Sequence, residues 1–123
     1  MGFLIVFLGG GIGAALRHGV NLASARLFGT AFPYSTIFEN ISGSLVMGLL
    51  VGYFAFKGNI PQHWQLFLTT GILGGYTTFS AFSLDTALLY ERGEFALTAV
   101  YVLLSVGLSI AGLFAGLALV RSF

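Results

Sequence analysis

Three hydroxyl side chains in the last apolar stretch are suited by type and spacing to contact a small anion. Tyr101, Ser105 and Ser109 are four residues apart, so on a helix they form one line along a single face. Each O–H group can donate a hydrogen bond to an anion without carrying a charge. The alternative is that each serine bonds to a carbonyl of its own helix. An aligned row of three favours the first interpretation.

Asn40 adds an amide to these candidate donors. It lies in the second apolar stretch, where a polar side chain at membrane depth is costly and is therefore a candidate for function. Its NH2 group can donate two hydrogen bonds, which suits an anion. A hydrogen bond between two helices would use the same group, so the residue alone leaves both interpretations open.

The third apolar stretch contains a pattern that predicts an interruption of its helix. The pair Gly74-Gly75 is followed by the hydroxyl residues Thr77, Thr78 and Ser80. Backbone can leave the helix at membrane depth only where it is buried in protein or lines a wet path. The pattern therefore indicates a site for an ion or small solute. A helix kinked for packing, with hydroxyls bonding the freed carbonyls, is the alternative.

Two phenylalanines follow the glycine pair at helical spacing. Phe79 and Phe82 are three residues apart and would share a face of the helix that continues after the interruption. The edge of an aromatic ring is positive, so rings presented edge-on can stabilise a desolvated anion, and their bulk can narrow its path. Without the surrounding motif, core packing would be the preferred interpretation of such a pair.

Two charged residues lie in the apolar stretches near these candidates. Arg17, in the first stretch, could draw anions into a vestibule, extend to the membrane interface or pair with Asp85. Asp85 follows Phe82 by about one helical turn. Since an acid beside an anion path is unfavourable, we expect Asp85 to be structural and paired.

The composition indicates that these side chains are positioned within a membrane. Of the 123 residues, 57% are hydrophobic and 7% are charged, and the mean hydropathy is +0.96. A soluble domain has roughly a quarter charged residues, so we expect an integral membrane protein. The net charge of +1 argues against nucleic acid as a partner. The sequence has no activated nucleophile, metal triad or phosphate loop, so no enzyme is indicated.

Four apolar stretches are long enough to span a bilayer, which takes about 20 residues. We expect an all-α protein that forms one unit over residues 1–123, because the connections are short turns and no linker separates domains. The third stretch is too long for one straight span, which agrees with a break near residues 74–78. The predicted spans are residues 2–22, 34–56, 63–90 and 95–120.

Glycines often recur four residues apart in these stretches, and we single out three such pairs. Small residues at this spacing let helix backbones approach closely in lipid, so they predict a tight bundle. The pairs are Gly9 with Gly13, Gly48 with Gly52, and Gly112 with Gly116.

The basic residues outside the spans indicate no preferred orientation. With four spans, Lys57 and Arg121 lie on one side and Arg26 and Arg92 on the other, an even balance of the residues that normally set topology. We therefore expect insertion in both orientations, unless a weak bias not captured by counting selects one. Two such copies can pair head to tail about a two-fold axis in the membrane plane, like the inverted repeats of transporters.

Together these residues resemble the Fluc (CrcB) family of bacterial fluoride channels, small membrane proteins with four spans. The resemblance covers essentially the whole chain, and residues 69–83, TTGILGGYTTFSAFS, are its most specific part. Residues 10–17, residues 36–44 and the hydroxyl row support it.

The resemblance implies an antiparallel homodimer in the bacterial inner membrane, with two pores that export fluoride passively and so limit its toxicity. The Asn and Phe positions would line each pore, and the hydroxyl row would form a polar track beside them. The candidate fluoride-contacting residues are Asn40, Thr78, Phe79, Ser80, Phe82, Tyr101, Ser105 and Ser109.

The resemblance also implies a structural sodium ion on the two-fold axis, at the break in the third helix. Its ligands would be the backbone carbonyls of Gly74 and Thr77 from each copy. Arg17 matches an arginine of the pore vestibule in this family.

Glu39 and Asp85 depart from the family pattern. The residue before Asn40 is usually apolar, whereas this chain has Glu39, about 100° around the helix from Asn40. If Glu39 reaches the vestibule, we expect it to repel fluoride and to slow conduction or make it pH-dependent. Asp85 stands where the family usually has glutamate, and its shorter side chain could fall short of its partner.

Two other functions are compatible with parts of the sequence. A small proton-coupled exporter also has four short spans and would use one intramembrane carboxylate, here Glu39, to exchange protons for cationic substrates. A structural assembly factor with no transport activity would account for the glycines. Neither explains the row of hydroxyls.

Overall fold

The computed structural model describes residues 1–122, which form helices joined by short turns, with no strand among them. Three helices are long and apolar enough to cross a membrane, namely the first, second and last. In chain order the helices are α1 (Gly2–Phe28), α2 (Tyr34–Lys57), α3 (Gln62–Gln65), a π helix (Leu66–Leu73), α4 (Gly74–Tyr76), α5 (Ser80–Glu91) and α6 (Phe95–Arg121).

The first helix is longer than its predicted span. The apolar pattern predicts an end at residue 22, but α1 continues to Phe28 and stops at Gly29, whose φ of 76° leaves the helical region. Hydropathy finds the lipid-facing part of a helix, whereas the backbone hydrogen bonds continue through Asn21 to Arg26. A second left-handed glycine, Gly58 with φ of 75°, ends α2.

Between α2 and α6 the chain changes helix type several times. Single turns of α helix flank the π helix, and the helical conformation stops at Tyr76. Thr77 is extended, with φ of −84° and ψ of 159°, and α5 begins at Ser80. The sequence contains no pattern that predicts the π helix, which is a rare conformation often found at functional sites.

Helix α1 packs along the π helix and α4 at a glycine crossing. A Cβ atom added to Gly9 would lie 2.8 Å from the carbonyl oxygen of Phe67 and 2.9 Å from Cα of Gly71. One added to Gly13 would overlap the carbonyl oxygen of Ile72. The residues that Gly13 contacts lie later in the chain than those that Gly9 contacts, so α1 runs parallel to the π helix and α4. The two backbones are in contact along this crossing.

Helices α2 and α6 pack by the same means. A Cβ atom on Gly116 would lie 2.7 Å from the backbone nitrogen of Leu49, and one on Gly48 would overlap the carbonyl oxygen of Leu113. Nearer the ends, a Cβ atom on Gly52 would lie 3.1 Å from Cβ of Val120. The glycine pairs of the sequence therefore lie at helix crossings, as the close-approach interpretation predicts.

Helix α5 lies against the first turns of α2 and α6. Its buried residues Phe82 and Leu89 form a small core with Tyr101 of α6. At the end of the helix, Nη2 of Arg92 donates to the carbonyl oxygen of Ala31 at 2.7 Å. This bond holds the α5–α6 turn beside the α1–α2 loop, so both connections lie at the same end of the molecule.

Candidate functional site

An open cleft of about 390 Å³ lies between α2, residues 77–79, α5 and α6. Most of its wall is apolar, and the polar atoms come from a few side chains and the non-helical backbone. Six sequence candidates line it: Asn40, Thr78, Phe79, Phe82, Ser105 and Ser109. Ser80 and Tyr101 do not line the cleft.

Asn40 bonds to both backbone groups of Thr78. Its Nδ2 donates to the carbonyl oxygen of Thr78 at 3.1 Å, and its Oδ1 accepts from the Thr78 backbone N–H at 3.0 Å. This pairing joins α2 to the non-helical residues, so the Asn40 side chain makes a hydrogen bond between separate segments, which was one of its two interpretations. The amide keeps one N–H without a partner among residues 1–122, so it can still donate to a ligand in the cleft.

The Thr78 hydroxyl begins the next helix. Its Oγ1 accepts a hydrogen bond from the backbone N–H of Ala81 at 3.0 Å, which satisfies one of the free donors in the first turn of α5. Oγ1 also lies 3.4 Å from the hydroxyl of Ser80, which is exposed. Thr78 is therefore fixed at its N–H, its carbonyl and its side chain, and its position sets that of Phe79.

Ser105 and Ser109 present buried hydroxyls that have no partner. In the described part of the chain, neither Oγ atom makes a hydrogen bond, not even to a carbonyl of its own helix. A buried hydroxyl without a partner costs roughly 1–3 kcal/mol. Both groups line the cleft, so they are donors available to a ligand there.

Three aromatic rings are in contact in a row that runs from the wall of the cleft into the core. The centroids of Phe79 and Phe82 are 5.6 Å apart, and those of Phe82 and Tyr101 are 5.3 Å apart. Phe82 is 9% exposed, whereas Phe79 is 77% exposed in the single chain. Phe82 thus serves both the core and the cleft, while the Phe79 ring is supported on one side only.

Tyr101 is removed from the cleft by its bond to Asp85. The tyrosine hydroxyl donates to Oδ2 of Asp85 at 3.0 Å, and the hydroxyl of Thr36 donates to the same oxygen at 2.7 Å. The expected pairing of Asp85 is therefore with two hydroxyls, and its shorter side chain does reach them. Sequence reasoning missed Thr36, because nothing local links it to a residue on α5.

Arg17 contacts the interruption, not Asp85. Its Nε donates to the carbonyl oxygen of Gly75 at 3.1 Å. Of the three roles weighed from the sequence, the pairing with Asp85 is wrong. The guanidinium instead satisfies a carbonyl that the end of α4 leaves without a helical partner.

Glu39 is buried between the helices. It is 1% exposed, it does not line the cleft, and its Oε2 has no partner within residues 1–122. The expected position in a vestibule therefore differs from the position in the single chain. Glu39 shares the buried face of α2 with Thr36 and Gly43, while Asn40 faces the cleft.

Two carbonyls at the interruption are left without donors. The Thr77 N–H bonds to the Leu73 carbonyl at 2.9 Å, but no described group donates to the carbonyl oxygens of Gly74 and Thr77. Backbone carbonyls are ligands of the kind that hard cations prefer. These atoms therefore suit a small cation, although no group of three or more acidic or histidine side chains among residues 1–122 forms a conventional metal site.

A second hydroxyl pair, absent from the sequence candidates, supports the same region. The hydroxyls of Ser42 and Tyr76 are 2.9 Å apart, and Ser42 also donates to the carbonyl oxygen of Phe38 at 2.6 Å. Tyr76 is the last residue of α4, so this contact ties the end of that helix to α2. The pairing joins positions that are far apart in the chain, so spacing could not have indicated it.

Comparisons with known proteins show what this chain is similar to. Residues 4–117 match the family model described as "CrcB-like protein, Camphor Resistance (CrcB)". A protein of Rhodopseudomonas palustris (strain BisB5), named fluoride-specific ion channel FluC, is 70% identical over 122 residues, 99% of this chain and 98% of its own length. One of Nitrobacter hamburgensis, named fluoride-specific ion channel FluC 2, is 64% identical over 121 residues, 98% of each chain. A FluC of Methylobacterium nodulans is 63% identical over 120 residues, 98% of this chain and 96% of its own.

Proposed function

This chain belongs to the CrcB family, and on that premise we propose that it is a fluoride channel of the bacterial inner membrane. It is a multi-pass membrane protein and not an enzyme. Passive movement of fluoride out of the cell lowers the internal concentration of a toxic anion.

The cleft with its two free serine hydroxyls is the observation that carries the proposal. Fluoride is small and strongly hydrated, so a path that removes its water must supply replacement hydrogen bonds. Ser105, Ser109 and the remaining N–H of Asn40 supply them from neutral groups. Neutral donors do not hold the anion as tightly as a lysine or arginine would, and conduction requires that the ion leave.

The two phenylalanines narrow this path and contact the anion through their ring edges. Phe79 and Phe82 lie on the wall of the cleft, at the beginning of α5. The positive edge of each ring offers weak electrostatic stabilisation without a hydrogen-bond donor that would bind water equally well. Selectivity over chloride then comes from the width of the path and the geometry of its donors.

The segments on either side of Thr77 together form the third of the four spans, as one interrupted helix. Residues 62–76 and 80–91 supply the length that a bilayer requires. Gly74 is exposed on the single chain, and its carbonyl has no donor among the described residues. Such a carbonyl cannot face lipid tails without a large cost, which supports a second copy of the chain as its cover.

The dimer that we propose is antiparallel and contains two pores. The basic residues at the two ends are balanced, with Lys57 and Arg121 at one end and Arg26 and Arg92 at the other. The contact of Arg92 with the α1–α2 loop supports this division. Insertion in both orientations gives each membrane the two forms that a head-to-tail pair needs.

A sodium ion between the two copies would be held by the carbonyls of Gly74 and Thr77. The absence of donors to these oxygens in the described structure supports the assignment. The ion would supply positive charge near the anion path and hold the two interruptions together. Arg17 adds a second positive charge at Gly75 and remains a vestibule candidate.

The proton-coupled exporter is not favoured. Its required carboxylate, Glu39, does not line the cleft, whereas the hydroxyls of Ser105 and Ser109, which it leaves unexplained, do. The family match also gives no support to an exporter.

Fluoride efflux from liposomes tests the proposal. Vesicles that contain the purified protein should release fluoride, but not chloride, as followed with ion-selective electrodes and without a proton gradient. Replacing Phe82 with isoleucine should lower the fluoride rate at least about tenfold, because the ring edge is lost and the path is reshaped.

The control for that substitution is Phe3→Leu, which changes a side chain that is 96% exposed and does not line the cleft. It should leave the rate unchanged. Release of chloride and fluoride at equal rates, or of neither, would contradict a fluoride channel.

A further inference from the structure

We propose that Asn40 is a positioning residue that diverts the backbone N–H of Thr78 and so keeps the carbonyl of Gly74 free to bind a cation. This inference rests on the sodium site of the proposed function. It assigns to Asn40 a role that is separate from donating to fluoride.

The first step is the destination of the Thr78 N–H group. In an uninterrupted α helix it would donate to the carbonyl oxygen four residues earlier, which belongs to Gly74. It donates instead to Oδ1 of Asn40, at 3.0 Å. The preceding N–H, that of Thr77, still makes the helical bond to Leu73 at 2.9 Å. The helical pattern therefore stops at the residue that Asn40 contacts.

The second step is that Asn40 holds both backbone groups of Thr78. The bond from Nδ2 to the Thr78 carbonyl, at 3.1 Å, complements the bond at the N–H. The second bond further limits rotation of the peptide planes, but the bond at the N–H alone determines that Gly74 loses its helical donor. Asn40 therefore holds the backbone at Thr78 in its non-helical conformation.

The third step is that α2 comes close enough for this pairing because Gly43 lies one turn after Asn40. A Cβ atom on Gly43 would overlap Cγ2 of Thr77. A larger residue there would hold α2 away from the interruption and lengthen both bonds of Asn40. Gly43 thus lies against Thr77 while Asn40 bonds to Thr78, so the two act on adjacent residues of the interruption.

The fourth step concerns the neighbouring carbonyl oxygens. Arg17 donates to Gly75 and Asn40 donates to Thr78, so these two oxygens are satisfied by side chains. Within the described residues, Gly74 and Thr77 receive no donor. The side chains around the interruption therefore leave free the pair of oxygens that suits a cation.

A variant without the amide should close the interruption. The Thr78 N–H would then have no partner in an apolar setting, and the Gly74 carbonyl is the acceptor that a helix offers it. A bond between them would remove one cation ligand from each copy. If the only role of Asn40 were to donate a hydrogen bond to fluoride, its removal would not change cation binding.

Sodium-dependent thermal stability of the detergent-solubilised dimer tests the inference. The melting temperature is measured against increasing sodium chloride, with N-methylglucamine chloride keeping the ionic strength constant. We expect the half-maximal sodium concentration to rise about tenfold or more in Asn40→Ala, because two ligands are lost. Ser109→Ala removes a cleft donor without touching the interruption, and it should respond to sodium as the wild type does.

Asn40→Asp provides a second variant in case the alanine variant does not fold. Its carboxylate still accepts from the Thr78 N–H, so the Gly74 carbonyl should stay free and the sodium response should persist. An unchanged response in Asn40→Ala, or a lost response in a folded Asn40→Asp, would overturn the inference while the sodium site stands. If the wild type itself shows no response to sodium, the cation site and the inference fail together. Fluoride efflux, measured separately, then decides the channel function.

Discussion

At the scale of single residues, the side chains that could act as hydrogen-bond donors were predictable, but the groups that they contact were not. The types and spacing of Ser105 and Ser109 indicated a row of donors, and the structure places both hydroxyls, unbonded, on the cleft. Asn40 left two interpretations open because its partner, Thr78, lies 38 residues away. Local pattern encodes which face a residue occupies, whereas a hydrogen bond across helices depends on how those helices dock.

Replacing Ser109 with alanine should separate function from stability. We expect fluoride efflux to fall about tenfold, because one donor to the anion is lost. We expect the melting temperature to stay the same or rise, because a buried hydroxyl without a partner is removed. Efflux assays and thermal unfolding in detergent measure the two effects.

The matched control is Thr98→Val, which removes a hydroxyl that bonds to the Glu94 carbonyl of its own helix. It should change neither quantity substantially. A large loss of stability in Ser109→Ala would show that its hydroxyl serves packing and not conduction.

Glu39 should make fluoride efflux depend on pH. Glu39 does not line the cleft, but it adjoins Asn40, which does, so an ionised carboxylate at this position repels fluoride in the cleft and its protonation in acid removes that repulsion. Wild-type efflux should therefore rise as the pH falls, and Glu39→Gln and Glu39→Val should be faster at neutral pH with a flatter profile. Arg17 and Asp85, whose charges also act on Glu39, are retained in these variants.

Vesicles without protein correct for the leak of hydrogen fluoride at acid pH, and Glu91→Gln serves as a control at an exposed acid. Identical pH profiles for the wild type and Glu39→Gln would rule out this role.

At the scale of helices, the apolar stretches predicted where helices lie but not how each one is wound. The starts of α1, α2 and α6 agree with the predicted spans, because burial in lipid and helix formation demand the same apolar residues. The π helix was missed, since its turns contain ordinary residues such as Leu66 and Thr69. Its conformation accompanies the close crossing with α1, and a crossing is not visible in one stretch of sequence.

Gly13→Ala should destabilise the protein, whereas Gly11→Ala should not. A Cβ atom on Gly13 would overlap the Ile72 carbonyl, while one on Gly11 meets nothing within 4 Å. We expect a loss of about 1–3 kcal/mol for the first from overpacking. The second should be neutral or stabilising by up to about 1 kcal/mol, from helix propensity. Thermal unfolding of both variants checks this, and equal melting temperatures would contradict the crossing.

At the scale of the whole molecule, the single chain has exposed apolar side chains on every helix that spans the membrane, and in the proposed dimer part of this surface contacts the second copy. Phe79 is well exposed although it lines the cleft, and Gly74 is exposed as well. The balance of basic residues at the two ends predicted a head-to-tail pair from the sequence alone. The extent of the contact surface was not predictable, because lipid and protein partners both favour apolar side chains.

Cysteine labelling in intact cells should detect both orientations. The chain contains no cysteine, so a single one at Asn59 or at Thr30 has no background. These positions lie in connections at opposite ends of the molecule. A membrane-impermeant maleimide should label about half of the copies of either variant from outside. Near-complete labelling of one variant and none of the other would establish a single orientation.

The bond between Asn40 and Thr78 also has a consequence for biosynthesis. Residues 66–91 contain no proline, and nothing within them prevents the Thr78 N–H from completing a helix in isolation. Because Asn40 precedes them in the chain, it has already left the ribosome when they emerge. The segment can therefore enter the bilayer as a continuous helix, in which every peptide group is satisfied, and open only when it docks on α2. Insertion of this segment into lipid and interruption of its helix at Thr78 are then successive events. Asn40, which directs the interruption, is synthesised before the segment that it acts on.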